Sequence, residues 1–293
     1  MSNNNPNSST TVYCSDQLSQ TSLDGFIRNF KNRLAKKGIA LQFLPFTNDI
    51  WLRDFMPIQT GKNQFVQFTL TKDYYLKKDL HKATDPAPIC TYLGIDPITP
   101  IYNGMPIYLD GGNVIRGYGK AIMTDKVFKD NGITHRIDRA AFANILKEVL
   151  QVEQIIFIPG EPYDQTKHAD GMVRFVDSKT VVANDFAIVN VSQSFRERFY
   201  GTLSGSGLDV LAVPYHPVND RINGYQSAKG CYINYLQVGD KIFLPTFNDS
   251  INDEAAINRF SGIFGPSNII PVPSSEIAVC GGVLNCLSWE IIT

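Results

Sequence analysis

The stretch that decides how this chain folds runs from Lys167 to Phe175 and reads Lys-His-Ala-Asp-Gly-Met-Val-Arg-Phe. It places His168 two residues before Asp170 in a glycine-containing loop that opens into a short apolar strand. A histidine can transfer protons near neutral pH, and a carboxylate beside it can hold a cation. One such pair occurs by chance in many loops, so its meaning depends on other stretches of the chain.

A helix, then a strand, then a loop with a reactive type of residue occurs about five times along the chain. The residues in those loops stand at positions 54, 110, 168, 234 and 286, so the successive intervals are 56, 58, 66 and 52 residues. The copies share few side chains, and chance spacing is the alternative explanation. A regular repeat of α/β units predicts a closed, pseudo-symmetric array whose loops converge on one axis. Because no Pro/Gly/Ser-rich linker divides the chain, we expect a single domain at 11–293 after a disordered lead-in at 1–10.

Hydrophobic periodicity places the elements of this repeat. Apolar residues at helical spacing predict helices, and short apolar runs predict the strands that follow them. The helices are predicted at 23–34, 141–149, 195–203 and 255–263, and the strands at 11–14, 39–43, 154–158, 209–213, 231–236 and 269–272.

Composition argues against several classes of partner. The chain has 293 residues, is 43% hydrophobic and carries a formal net charge of −1, which disfavours nucleic acid or an anionic membrane as the main partner. No run of ~18 apolar residues is present to span a bilayer. Five scattered cysteines without Cys-x-x-Cys spacing predict free thiols. Since the N-terminus lacks a basic-then-apolar leader, we expect a cytoplasmic protein with a small-molecule partner; its oligomeric state, including a homo-oligomer, is left open.

The first candidate for chemistry is Cys286, which follows the glycine pair Gly281 and Gly282. Glycines let a backbone approach a ligand closely, and a thiolate beyond such a turn can attack a bound electrophile. The alternative is a small buried hydrophobe, the usual state of a Cys in an apolar segment. A partner histidine favours the nucleophile, and His168 is the best of the four histidines because a carboxylate stands beside it. The alternative for His168 is a surface-loop histidine.

Asp54 and Asp170 form the second candidate pair. Asp54 ends the run Trp51-Leu52-Arg53-Asp54, which brings an aromatic ring, a cation and a carboxylate within four residues. One interpretation is an Arg53–Asp54 pair that fastens a loop under a half-buried Trp51. The other is a pair of carboxylates that clamps a planar cation while the aromatic ring covers it. A guanidinium fits such a clamp because its N–H donors lie in one plane.

Two further stretches complete the candidate set. Asp110 and Gly111 stand in an Asp-Gly-Gly-Asn run, which is also typical of a tight turn. Asn234 is a polar residue in an apolar segment that reads as a strand. It is either a hydrogen-bonded core amide or a residue that points at the axis, and the residues alone do not decide between the two.

Together these stretches resemble the landmarks of the agmatine deiminase and bacterial-type peptidylarginine deiminase family, a branch of the guanidine-modifying enzymes. The family motifs are W-x-R-D-x-G-P, E-G-G, H-x-D-x-x-x-R-F, an S-Y-x-N-like strand and G-G-G-x-x-H-C. Their counterparts occur in family order, from about residue 48 to 289. They read WLRDFMP at 51–57, DGG at 110–112, HADGMVRF at 168–175, CYIN at 231–234 and CGGVLNC at 280–286. The third match is specific, whereas the Gly-Gly matches alone are weak.

The resemblance implies a fold of five α/β units around a pseudo-fivefold axis, a pentein-type α/β propeller. It also implies roles: Cys286 as nucleophile, His168 as proton-transfer residue, Asp54 and Asp170 as the guanidinium clamp, and Trp51, Arg53, Asp110, Gly111, Asn234 and Gly282 as residues that form the substrate pocket.

The implied reaction is hydrolytic deimination of a guanidino compound, with agmatine as first choice, through an amidino-thioether on Cys286 and without a metal or organic cofactor. Agmatine would give N-carbamoylputrescine and ammonia. Three alternatives stay open: deimination of arginine or peptidylarginine, amidino transfer to an amine, and non-catalytic binding of a guanidinium or polyamine.

The chain departs from the family motifs at four positions. Met56 stands in place of a glycine, Asp110 in place of Glu, Cys280 in place of the first of three glycines, and Asn285 where His often precedes the nucleophile. None of these changes removes a chemical group that the mechanism needs. They leave the identity of the guanidino substrate open.

Overall fold

The computed structural model describes residues 10–292 of the chain. The predicted lead-in at 1–10 therefore lies outside the described residues except for Thr10, which already pairs with Ile292 as the first residue of a strand. The strands are β1 Thr10–Ser15, β2 Ala40–Leu44, β3 Ile58–Gly61, β4 Gln64–Val66, β5 Ile101–Tyr102, β6 Met105–Pro106, β7 Ile115–Gly117, β8 Lys120–Thr124, β9 Gln154–Ile158, β10 Val173–Phe175, β11 Thr180–Asn184, β12 Asp209–Val213, β13 Arg221–Ile222, β14 Tyr225–Gln226, β15 Leu236–Val238, β16 Lys241–Thr246, β17 Ile269–Pro273 and β18 Trp289–Ile292.

The helices alternate with these strands. They are α1 Asp24–Ala35, α2 Leu52–Phe55, α3 Ala87–Leu93, α4 Lys126–Asp130, α5 Arg136–Leu150, α6 Gln193–Gly205, α7 Ser250–Phe264, α8 Ser275–Ala278 and α9 Leu284–Leu287. Short 3-10 turns occur at Asp16–Gln20, Lys77–Lys82, Gly111–Asn113, Ala169–Gly171, Phe186–Ile188 and Pro266–Asn268. Within residues 10–292, no helix has the length and apolar character to cross a membrane.

The repeating unit is a ββαβ module. In each module the first strand pairs antiparallel with the second, and a helix then crosses over to a third strand that pairs parallel with the second. Three modules have this form without exception: β7-β8-β9, β10-β11-β12 and β15-β16-β17. The crossover helix is what lets two parallel strands lie side by side.

The remaining two modules close the array. β18 pairs antiparallel with β1, and β1 pairs parallel with β2 across α1, so the last described strand completes the sheet that the first strand begins. β3 and β4 form the antiparallel pair of the fifth module, whose third strand is reduced to a parallel bridge between Val66 and Ile98. The five sequence repeats therefore correspond to five modules.

Helix packing explains why the periodicity in the sequence predicted the helices correctly. Side chains four residues apart lie on one face of a helix, and the crossover helices bury that face against their sheets. The buried residues are Phe26, Phe30 and Leu34 in α1, Phe142, Leu146 and Leu150 in α5, Phe195, Phe199 and Leu203 in α6, and Ala256 and Phe260 in α7. The buried apolar residues form several clusters between helices and sheets, rather than one central core.

The strand predicted at 231–236 is wrong over most of its length, since β15 begins only at Leu236. The backbone before it forms a turn whose polar groups serve a different segment. The Asn234 carbonyl accepts a hydrogen bond from the backbone N–H of Asn285, at 3.1 Å. A backbone group engaged in this way does not extend a strand ladder.

Each predicted site residue stands just before the first strand of a module. Asp54 lies in α2 before β3, Asp110 before β7, Asp170 before β10, Asn234 before β15 and Cys286 in α9 before β18. The regular intervals seen in the sequence are thus one module long. The same point of each module therefore carries a predicted site residue.

Candidate active site

Gly111 and Gly112 allow three site segments to meet. A Cβ on Gly111 would lie 2.0 Å from the backbone oxygen of Arg53, so the turn at 111–113 contacts the α2 backbone directly. A Cβ on Gly112 would lie 2.6 Å from Asp54 Oδ1 and 2.7 Å from His168 Nδ1. The Gly112 N–H donates to Asp54 Oδ1 at 3.2 Å. Only glycine leaves room for these contacts, which gives the Gly-Gly pair a steric function.

His168 lies between two carboxylates and is 2% exposed. Its Nε2 is 3.0 Å from Asp110 Oδ2, and its Nδ1 is 3.4 Å from Asp54 Oδ1. Burial by itself would lower the pKa of His168, but the charges of Asp54 and Asp110 outweigh it and raise the pKa well above the ordinary histidine value. His168 is therefore an imidazolium at neutral pH and a ready proton donor.

Asp110 contacts the Nε2 atom of His168. Its carboxylate accepts hydrogen bonds from the Thr71 backbone N–H at 2.8 Å and the Thr71 hydroxyl at 2.6 Å. Burial would raise the pKa of Asp110, but His168 and Lys126 outweigh it and keep the pKa below the ordinary value. Asp110 is thus an ionised partner that orients His168. The shorter side chain, Asp instead of the family's Glu, still reaches the imidazole.

Cys286 lies beside Asp170, with Cys286 Sγ 3.4 Å from Asp170 Oδ2. The Asp170 carboxylate also approaches the glycine turn, because a Cβ on Gly112 would lie 3.4 Å from Asp170 Oδ2. Burial, followed by the charges of Asp170 and Asp54, raises the pKa of Cys286 well above the ordinary thiol value. Without a cation in the site, Cys286 is a neutral thiol facing two carboxyl groups.

Asn234 positions the backbone of the cysteine. Its side-chain Oδ1 accepts a hydrogen bond from the Cys286 N–H at 3.3 Å, in addition to the carbonyl contact with Asn285. Gly282 lies between two side chains, since a Cβ there would be 2.8 Å from the Trp51 ring and 3.0 Å from the Cys286 Cβ. Trp51 therefore stands over the segment that carries Cys286.

Asn285 is a functional-site residue whose partners the sequence did not reveal. Its amide N–H donates to Asp170 Oδ2 at 2.7 Å, and its Oδ1 accepts from Arg174 at 2.9 Å. Arg174 also donates to the Tyr235 carbonyl and lies 4.6 Å from the centre of the Tyr235 ring. A chain of hydrogen bonds thus fixes the Asp170 carboxylate. The only signal in the sequence was the Arg of the H-x-D-x-x-x-R-F motif.

Tyr74 was likewise missed, because it lies outside all of the motifs. Its hydroxyl donates to Asp54 Oδ2 at 3.1 Å, and its ring meets the His168 ring edge to face, with centroids 5.7 Å apart. Tyr74 therefore fixes the second carboxylate of the predicted clamp. No periodicity or motif around residue 74 distinguishes it in the sequence.

Arg53 and Met56 form no hydrogen bond with Asp54 or Asp170. Arg53 forms an ion pair with Glu290 on β18 and donates to the Asn285 carbonyl at 3.2 Å. Met56 is buried in the apolar cluster that also contains Leu52 and Trp289. Arg53 thus connects the α2 segment to the cysteine segment, and Met56, in place of a family glycine, fills core volume.

No group of three or more His, Cys, Asp or Glu side chains within residues 10–292 is arranged to hold a metal ion. The polar groups of the site are one thiol, one imidazole and three carboxylates, each with a partner among the others. Two of the carboxylates, Asp54 and Asp170, approach the same glycine from different modules. Such an arrangement can hold a planar cation against a thiol and beside a proton donor.

Replacing Gly112 with alanine is expected to lower activity by about two orders of magnitude, since a shift of roughly 1 Å in a catalytic group has this effect. The new Cβ would force Asp54 and His168 apart. Gly201→Ala is the matched control, because a Cβ on this α6 residue meets nothing within 4 Å. Steady-state kinetics of both variants provide the measurement, and equal activity in the two would contradict the expected clash.

The comparisons with known proteins agree with this architecture. The model of the Porphyromonas-type peptidyl-arginine deiminase family matches residues 9–291. A putative agmatine deiminase of Vibrio parahaemolyticus is 23% identical, over 86% of this chain and 78% of its own. The structure of a C. jejuni Cys-to-Ser agmatine deiminase with substrate bound superimposes with a TM-score of 0.73 at 17% identity, covering 96% of this chain and 92% of the other. An amidinotransferase from Microseira wollei gives a TM-score of 0.59 at 10% identity, covering 96% and 93%.

The ββαβ modules and these structural likenesses define an α/β fold of repeated units, shared with agmatine deiminases and an amidinotransferase, and the predicted α/β fold class is confirmed. Within that class, the chain belongs to the Porphyromonas-type peptidyl-arginine deiminase family.

Proposed function

We propose that this protein is a hydrolase that deiminates a small guanidino compound, with agmatine as the first choice. The observation that carries the proposal is the meeting of Cys286, His168, Asp54 and Asp170 around Gly112. Asp54 pairs with His168, whereas the hydrogen-bond partners of Asp170 within residues 10–292 are the neutral Asn285 amide and the Cys286 thiol. A guanidinium would supply a cation to Asp170 and present planar N–H pairs to both carboxylates.

Binding would change the charge state of the nucleophile. The carboxyl groups of Asp170 and Asp54 raise the pKa of Cys286, and a guanidinium between them cancels that effect. The thiol proton then leaves to solvent as the cation enters. Substrate thus creates the thiolate that attacks it, and the empty enzyme keeps an unreactive thiol.

The first half-reaction forms a C–S bond. Cys286 thiolate attacks the guanidinium carbon, and the C–N bond to one terminal nitrogen breaks as His168 donates its proton to that nitrogen. Ammonia leaves, and an amidino-thioether cation stays on Cys286 with His168 neutral. The raised pKa of His168 supports this step, because the imidazole starts as an acid.

The second half-reaction returns the enzyme to its starting state. Neutral His168 takes a proton from water as the oxygen adds to the same carbon. The C–S bond then breaks as the remaining O–H proton passes to the leaving sulfur, which gives the neutral ureido product and the Cys286 thiol, with His168 again protonated. Asp110 keeps the imidazole in place through both proton transfers.

The test is incubation of the pure protein with agmatine, free arginine and an arginine peptide, followed by assay of ureido product and ammonia. We expect equal amounts of both from agmatine. No turnover of any of the three above a Cys286→Ala control would contradict the proposal. An added amine acceptor separates hydrolysis from amidino transfer, since transfer would yield a new guanidino product.

Alkylation of Cys286 by iodoacetamide is expected to be slow at pH 7 and to keep rising above pH 9, because the thiolate is the reactive form and the pKa is raised. Asp170→Asn removes the nearest carboxylate, which lowers that pKa and shifts the profile to lower pH. Peptide mass spectrometry measures the rate at Cys286 separately from the other cysteines. A profile that levels off below pH 8 in the unmodified protein would contradict the expected charge state.

A further inference from the structure

A cavity of about 450 Å³ lies beside the loop that precedes His168, which contributes Glu161 and Tyr163 to its lining. Glu161 and Tyr215 lie inside it, and the exposed side chains of Tyr163 and Ile188 stand at its rim. Other lining residues are Val189, Asn190, His216, Pro217, Val218, Asn219 and Gln226. The lining contains one carboxyl group and no Lys or Arg, so its polarity favours a cation or a neutral donor.

Glu161 is the feature of this cavity that calls for a ligand. It is 4% exposed, and its Oε1 accepts a hydrogen bond from the Tyr215 hydroxyl at 2.8 Å. No ion pair to Glu161 is formed by any Lys, Arg or His within residues 10–292. Burial and the charge of Asp164 raise the pKa of Glu161 to about 8, so the acid is largely neutral at pH 7 until a cation arrives. A buried carboxyl group facing a cavity without a counter-charge is unusual in a folded protein.

The neighbouring carboxylate, Asp164, already has partners. It accepts hydrogen bonds from the Thr166 backbone N–H at 3.0 Å and from the Thr166 hydroxyl at 2.9 Å. These contacts form an Asx turn that shapes the loop before His168. Glu161 is therefore the carboxyl group of this loop with capacity left for a ligand.

Two loops connect the cavity to the catalytic residues. Glu161 stands seven residues before His168 in the same loop. On the other side, Gln226 lines the cavity, and its carbonyl would lie 3.7 Å from a Cβ on Gly281, the neighbour of Gly282.

Cys231 is close to both sites. Its Sγ lies 3.6 Å from the carbonyl of Gly171, the residue after Asp170. Burial, followed by the charges of Glu161 and Asp170, raises the pKa of this thiol, so both carboxyl groups are near it.

We propose that the Glu161 cavity receives the distal end of the guanidino substrate and selects for a primary amine there. This inference rests on the proposed function, because it places the guanidinium between Asp54 and Asp170. The amine would donate to Glu161, with Asn190, Asn219 and Gln226 as polar neighbours in the same lining. A carboxylate at that end, as in free arginine, finds no Lys or Arg among the lining residues, where His216 is the one basic side chain, and meets the Glu161 carboxyl group.

The test compares two ligands of equal length, agmatine and n-butylguanidine, which differ by the terminal amine. Their dissociation constants are measured by calorimetry in a Cys286→Ala background, where no turnover occurs. Introducing Glu161→Gln is expected to weaken agmatine binding about tenfold and to leave n-butylguanidine binding unchanged. Glu148→Gln, an exposed change on α5, is the matched control and is expected to change neither value.

The outcomes distinguish this proposal from the proposed function. Equal weakening of both ligands, or no weakening of either, would overturn the amine subsite. Thermal unfolding of each variant establishes whether it is folded. If the Glu161→Gln variant does not fold, Glu161→Asp replaces it, because this change keeps the carboxyl group but withdraws it by one methylene. Turnover by the unmodified protein is assayed separately. Absence of turnover would contradict the proposed hydrolase activity, and the binding measurements would still decide whether Glu161 binds an amine.

Discussion

Replacing Cys286 with alanine is expected to lower the rate of ureido product formation by at least about 10⁴-fold, which is typical for loss of a nucleophile. The C–S bond cannot form without the thiol, and among the cysteines of residues 10–292 Cys286 is the one whose sulfur forms a hydrogen bond with Asp170. Agmatine binding is expected to survive, because the cation is held by Asp54 and Asp170 rather than by sulfur. Steady-state turnover and calorimetric binding of the same variant provide the two measurements.

Mass spectrometry of protein quenched during turnover gives the sharper form of this test. We expect an amidino adduct on Cys286 of the unmodified protein and none on the Cys286→Ala variant. Cys90→Ala is the control, since Cys90 is buried in α3 and takes no part in the site. An adduct on another cysteine, or full turnover by Cys286→Ala, would identify a different nucleophile.

Asp170→Asn is expected mainly to weaken agmatine binding, whereas His168→Ala is expected mainly to lower kcat. Asp170→Asn removes one charge of the clamp and should weaken agmatine binding by ~10–100-fold, the range for a charge-assisted hydrogen bond. His168→Ala removes a positive charge next to the clamp, so binding is retained, while kcat falls by ~10²–10⁴-fold because the proton donor is lost. Kd in a Cys286→Ala background and kcat of each single variant measure the two effects.

This pair of variants also tests the division of labour between neighbouring residues. Asp170 contacts Cys286 and the Asn285 amide, whereas His168 contacts Asp54 and Asp110. If His168→Ala abolished binding and Asp170→Asn lowered kcat alone, the two roles would be exchanged. The Tyr74 hydroxyl is not altered by either variant, so Asp54 keeps its hydrogen bond in both.

Some features of the molecule could be predicted from the sequence because they depend on local periodicity. Strands 154–158 and 209–213 have the predicted bounds, helices α5, α6 and α7 contain the predicted segments, and α1 begins one residue after its predicted start at 23. Their apolar residues recur at the spacing of one helix face or alternate along a strand, so the signal lies within about a dozen residues. The strand prediction for 231–236 was wrong because the apolar residues before Leu236 are buried in a turn rather than in a sheet.

The position of each predicted site residue in its module could also be inferred, since the repeat length fixes one loop per module. The contacts that each side chain makes could not be inferred from the sequence. Asp110 touches His168 across 58 residues of sequence, and Asn285 touches Asp170 across 115. No short-range pattern encodes such pairs.

The sequence by itself indicated repeated α/β units and the kinds of chemical group that their loops carry, because periodicity and repeat length are properties of a linear chain. Only the tertiary structure decided that Asp110 backs His168, that Asn285 and Arg174 fix Asp170, and that Arg53 turns to Glu290. Those choices follow from tertiary packing, which places loops from different modules within hydrogen-bond distance of each other and buries them where every polar group needs a partner.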